Sequence, residues 1–134
     1  VGGGAGPPPP AEVKDLSVDT SPTCLIVLCN APDQPTAQRL AQAVVAQQLA
    51  ACVNILAPCR SVYRWQGVVE EAEEVPLLIK TTQARYPALQ AALRAAHPYE
   101  LPEIVAVPVV AGLPDYLTWV EAQTRPANPD LTAC

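Results

Sequence analysis

Ser61-Val-Tyr-Arg-Trp-Gln-Gly-Val68 decides the fold. Val62, Tyr63 and Trp65 are strand-forming side chains, and Gln66-Gly67 supplies a two-residue turn in which glycine accepts positive φ. A hairpin is therefore centred on residues 66–67. Reading backward, Cys52 to Ala57 is a strand, broken or bulged at Pro58 and resumed at Ser61. Reading forward, Val68 to Thr82 is the return strand. It opens acidic at Glu70, Glu71, Glu73 and Glu74 and closes apolar at Leu77, Leu78 and Ile79. Pro76 has no N–H for a ladder, so a bulge or locally unpaired segment is expected there.

Outward from the hairpin, Cys24-Leu-Ile-Val-Leu-Cys29 is an unbroken apolar run, the pattern of a strand buried on both faces. At about 3.3 Å per residue the strand Cys24 to Asn30 spans roughly 23 Å, whereas Val53 to Trp65 spans roughly 43 Å. The hairpin must overhang its own sheet by about 20 Å, a sticky edge that a closed oligomer would cover. Ala31-Pro-Asp-Gln-Pro-Thr36 is a turn able to cap a helix, and apolar positions 37, 40, 41, 44, 45 and 49 predict that helix from Ala37 to near Ala50. Tyr86 to Ala96 is a second helix, with Pro87 in its first turn and Leu89, Ala92, Leu93 and Ala96 on one stripe. Glu103 to Val109 is a fourth strand, and Pro114 to Gln123 a third helix carrying Tyr116, Leu117 and Val120. The order βαββαβα reads as an α+β chain of the ferredoxin-like kind: a four-stranded antiparallel sheet, two helices on one face, and an extra C-terminal helix.

The chain has 134 residues, half of them apolar, with 8 basic and 13 acidic side chains, one histidine and a net charge of −5. That is one domain's length and composition. Gly and Pro dominate the first ten residues, so 1–21 is expected to be a disordered arm, 22–125 the folded domain and 126–134 a flexible tail. The acidic balance speaks against nucleic acid as a partner, and no apolar run nears the ~18–20 residues of a membrane span. The five cysteines (Cys24, Cys29, Cys52, Cys59, Cys134) are odd in number, and three lie in or beside apolar runs. Reduced thiols in a cytoplasmic compartment are the expectation.

No GxSxG, P-loop or HExxH motif occurs, and one histidine excludes a His₂ or His₃ metal site within a chain. His97-Pro-Tyr-Glu100 with Leu101-Pro-Glu103 is the densest polar constellation. It reads either as a metal or small-ligand site, or as a helix cap at His97 followed by a stiff connection. Cys29, at a strand end, is either a soft-metal ligand or a buried structural thiol. Along the return strand Glu71 and Glu73 face away from Glu70 and Glu74, which favours a solvated strand start over a carboxylate cage. Lys80 shares a face with Glu74 and is read equally as an interface ion pair or an anion ligand.

Taken together, Ala50-Ala-Cys-Val-Asn54, Tyr63-Arg-Trp-Gln-Gly67, Glu74 through Ile79-Lys-Thr81, His97-Pro-Tyr-Glu-Leu-Pro-Glu-Ile104 and Tyr116-Leu-Thr-Trp119 resemble the CutA family of divalent cation tolerance proteins, over about residues 23–124. The resemblance implies a ferredoxin-like fold, a tight homotrimer and an association with tolerance to copper and other divalent metals. In bacterial members copper binding is attributed to a Cys and two adjacent His residues. Cys29 and His97 match the Cys and the second His, while Ala96 stands where the first His would be. The expected function is thus a non-enzymatic trimer that binds copper or another divalent metal weakly through Cys29 and His97. The alternative is a PII-like small-molecule sensor, with Trp65, Glu74, Lys80, Tyr99 and Glu103 lining a pocket between subunits. A protein-anchoring module is a related alternative, because animal relatives are linked to acetylcholinesterase anchoring.

Overall fold

A computed structural model describes residues 23–126; the arm 1–21 and all but the first residue of the tail lie outside the described residues. The chain runs β1 (Cys24–Ala31), α1 (Gln34–Ala46), β2 (Cys52–Ile55), β3 (Cys59–Trp65), β4 (Val68–Thr82), α2 (Tyr86–Ala96), β5 (Ile104–Pro108) and α3 (Pro114–Gln123). The strands form one antiparallel sheet in the order β2–β4–β1–β5, with β3 also pairing to β4. The strand expected to be merely broken at Pro58 is recorded as two, β2 and β3.

Their register on β4 locates the irregularity. Ile55 lies opposite Leu77 and Cys59 opposite Glu74, so residues 56–58 face only residues 75–76. This is a one-residue bulge. It sits on the β2–β3 side, and Pro76 itself stays in register with Asn30 of β1. Its carbonyl accepts from the Leu56 N–H, so its nitrogen faces the same side, where the ladder is interrupted and no donor is needed. The hairpin turn is as expected: Gln66 and Gly67 both have positive φ, 51° and 83°.

Helices α2 and α3 have the expected bounds, whereas α1 starts and stops earlier than its apolar spacing predicts. Asp33 caps its N-terminus, accepting from the Thr36 N–H at 2.9 Å. At the other end Gln48, at φ 60°, turns the chain so that Leu49 and Ala50 both donate to the Val44 carbonyl. Leu49 is buried after the turn, not as a further helical position.

One sheet face carries the core: Val27, Cys29 and Ala31 of β1 with Leu77 and Ile79 of β4, packed against Leu40 and Val44 of α1 and Leu89 and Leu93 of α2. Ala96, expected on that stripe, is exposed. The second face is covered at one end only, where Val120 of α3 packs with Cys24 and Ala51. There Ile26 and Leu28 are half-buried and Val105 and Val107 exposed, so within a single chain β1 is buried on one face, not both. The hairpin does overhang. β1 pairs only with Val75–Thr82, which leaves Val68–Glu74 with β3 on one side and, among the described residues, no strand on the other.

Candidate functional site

The space beside that free stretch of β4 is a cleft of about 980 Å³, bounded by β3, the start of β4 and the connection from α2 to β5. Strand alternation fills it. Ser61 faces Ala72, Tyr63 faces Glu70 and Trp65 faces Val68, so one side of the hairpin carries Tyr63, Trp65, Glu70 and Glu74 together. Pro98 to Val105 supplies the opposite wall, including Tyr99 and Glu103.

Glu74 is the fixed point of the cleft, 8 % exposed. The Asn30 amide donates to its Oε1 at 3.3 Å and to Glu103 Oε1 at 3.2 Å, bridging the two carboxylates. The Tyr99 hydroxyl donates to Glu74 Oε2 at 3.0 Å. Burial, and then that bond to Glu74, push the Tyr99 phenol up to about 12. Tyr99 therefore remains a donor at any physiological pH. The expectation of a solvated strand start holds for Glu70, Glu71 and Glu73, but Glu74 is buried because the 98–103 segment folds over it.

Behind this wall His97 is the C-cap residue of α2, its N–H bonded to the Leu93 carbonyl at 2.9 Å. Its ring is also committed. Nδ1 accepts from the Tyr99 N–H at 3.1 Å, so the proton sits on Nε2, which donates to the Asn30 carbonyl at 2.6 Å. The Tyr99 ring lies 4.7 Å from the imidazole, centroid to centroid. The Cys29 thiol donates weakly to the same Asn30 carbonyl at 4.0 Å. Burial, then the carboxylate of Glu103, push that thiol up to about 12.

Cys29 and His97 thus converge on one carbonyl, but neither is a ready ligand in this arrangement: the thiol is protonated rather than a thiolate, and both imidazole nitrogens are engaged. Among the described residues no group of three or more His, Cys, Asp or Glu could hold a metal ion. The structure also divides the five residues expected around a pocket. Trp65, Glu74, Tyr99 and Glu103 line the cleft, but Lys80 does not. It lies six residues further along β4 than Glu74, roughly 20 Å at strand rise, where its Nζ donates to Asn54 Oδ1. Asn30, Tyr63 and Glu70 are cleft residues that sequence reasoning missed. Alternation from Trp65 points to Tyr63, and pairing across the turn then points to Glu70; nothing local marks Asn30.

The family model described as CutA1 divalent ion tolerance protein matches residues 25–123. A divalent-cation tolerance protein CutA from Citrobacter koseri is 43% identical over 112 residues, 84% of this chain and 95% of that protein. The crystal structure of CutA from Xylella fastidiosa superposes with a TM-score of 0.74 at 42% identity, covering 76% of this chain and 98% of that one. A protein described as the periplasmic divalent cation tolerance protein CutA from Archaeoglobus fulgidus gives 0.74 at 31% identity, covering 76% and 99%.

Proposed function

Since the chain belongs to the CutA1 family of divalent ion tolerance proteins, we propose that it serves in divalent-cation tolerance as a non-enzymatic, ferredoxin-like homotrimer that binds copper weakly through Cys29 and His97. The observation that carries the metal site is the meeting of Cys29 Sγ and His97 Nε2 at the Asn30 carbonyl. A thiolate with an imidazole suits Cu(I) or Zn²⁺ better than Mg²⁺. Both groups must give up protein bonds or a proton to ligate, so the affinity is low and the ion is cargo, not a structural part. Isothermal titration with copper, on the wild type and on Cys29→Ser and His97→Ala, tests this. Equal heats in all three would remove the site.

The trimer is supported by the unpaired edge of Val68–Glu74 and by the half-covered second sheet face. A neighbour's strand on that edge would satisfy its backbone, and cyclic closure would stop the pairing from running on. Light scattering should return three times the 14.1 kDa of one chain. A monomer at micromolar concentration would overturn the assembly. A cytoplasmic location is proposed on the thiols Cys24, Cys29, Cys52 and Cys59, which are all free.

The cleft favours a second reading, a sensor of small molecules. Its volume suits an organic ligand rather than a bare ion, and aromatic rings and fixed carboxylates converge in it. A thermal-shift screen of metabolites is the test, because specific binding raises the melting temperature by mass action.

A further inference from the structure

The second sheet face carries opposite charges at its two ends. Of the three cations on the strands, Arg60 and Arg64 stand across from Glu73 and Val69, on the other face, which leaves Lys80 for this one. Lys80 is half-buried, in a row with Ile26 of β1 and Cys52 of β2. Its Nζ donates to the neutral Asn54 side chain, and the ion pair among the described residues is Arg60 with Glu71. At the far end stands Glu70, exposed beside Tyr63. Glu74 already accepts from Asn30 and Tyr99, and Glu103 from Asn30, so Glu70 is the cleft carboxylate left without a partner among the described residues. Lys80 and Glu70 are ten residues apart on one strand, roughly 33 Å, far beyond the reach of their side chains. A second molecule must bring them together.

Covering the face gives the reason to do so. The trimer reading lays a neighbour on the second sheet face and along the open edge of β4. A lysine taken out of water in the middle of that face is costly when one amide is its only partner, so whatever covers it must bring a negative charge. The cleft beside the open edge has three carboxylates, Glu70, Glu74 and Glu103, and no cation. The two patches are opposite in sign and lie on one chain, which suits a head-to-tail contact that closes into a ring. Tyr63, directly opposite Glu70, and Trp65 offer rings to the methylene stem of the incoming lysine.

Resting on the trimer reading, we infer that the partner subunit's Lys80 enters the cleft and pairs with Glu70 across the subunit boundary. Dissociation of the full chain on dilution in moderate urea, followed by light scattering, tests this. Lys80→Glu and Glu70→Lys should each raise the dissociation constant about tenfold or more, the scale of a close interface charge pair. The double variant restores the pair with its signs exchanged and should recover most of the loss. Lys80→Glu combined with Glu71→Lys, on the other face, should recover none. Should the reversed chains fold poorly, Lys80→Met and Glu70→Gln supply a neutral cycle, in which the double variant should lose little more than either single one. Additive losses while the wild type still assembles would overturn the pair and leave the trimer reading standing. Equal recovery with Glu71→Lys would reduce the effect to net charge and overturn it too. A wild type that is monomeric at micromolar concentration would remove both.

Discussion

The two halves of β4 have different physical lives. From Val75 to Thr82 the strand has β1 on one edge, β2 along part of the other, and α1 and α2 beneath it; Leu77 and Ile79 are wholly buried. From Val68 to Glu74 the same strand has one neighbour among the described residues, and Val68 and Val69 are 57% and 61% exposed. Propensity does not separate the halves, because both contain β-branched residues. The number of paired edges and the cover on each face separate them. One half is a finished core, and the other is a half-open ladder that walls the cleft.

The largest effect should come from the finished half. Leu77→Ala should cost about 2–5 kcal/mol in urea unfolding, since its site is enclosed on every side. Val69→Ala on the open half should change the stability of the dilute chain by no more than about 0.5 kcal/mol. Any loss beyond that which appears only as concentration rises measures what covers the edge. A cost of several kcal/mol for Val69→Ala at all concentrations would erase the distinction.

Next in size is an alkaline limb at the seam between the halves. Cys29 titrates at about 12 in the fold against 9.0 in the unfolded chain, and Tyr99 at about 12 against 10.0. Raised values mean that the unfolded state releases these protons first. Their contribution is complete below pH 9 and is lost as pH rises towards 12, at about 1.4 kcal/mol per pH unit for a fully shifted group. Unfolding followed from pH 8 to 11 should show the decline, and Cys29→Ala should flatten its first part. A limb unchanged in that variant would place the cause elsewhere.

Smaller still is Tyr99→Phe, which keeps the ring against His97 and removes one donor from Glu74. A loss of about 1 kcal/mol is expected at neutral pH, the cost of one buried bond. A variant as stable as wild type would mean that water replaces the hydroxyl and that the cleft wall is looser than its bonds suggest.

Local signals were enough for the hairpin turn, for α2 and α3, and for the overhang, since each depends on spacing, proline position or strand length. The ends of α1 depend on Asp33 and Gln48, whose cap and left-handed turn are single-residue conformations rather than a periodic pattern. Of the site, Tyr99 was legible within the polar constellation from His97 to Glu103, and Trp65 as a strand-forming residue of the hairpin. The burial of Glu74 and the part played by Asn30 were not, because both depend on the 98–103 segment meeting the end of β1 from far along the chain. Lys80, expected at a pocket between subunits, lies outside this cleft within one chain. Sharing a face with Glu74 says nothing of distance along a strand.

The extra residue at 56–58 acts as a frame for everything after it. Val53 and Ile55 point with Ile79 and Leu77 into the core, whereas beyond the bulge Tyr63 and Trp65 point with Glu70 and Val68 to the cleft side. Were the pairing of Ile55 with Leu77 to run on with every residue kept and no bulge, Tyr63 would meet Val69 and both aromatic rings would lie on the opposite surface. Deleting Ala57, an exposed alanine, would leave two residues against 75–76, so the bulge would vanish while Tyr63 stayed opposite Glu70 and the core side chains stayed in place. The strand can be read in two phases, and three inconspicuous residues hold the punctuation.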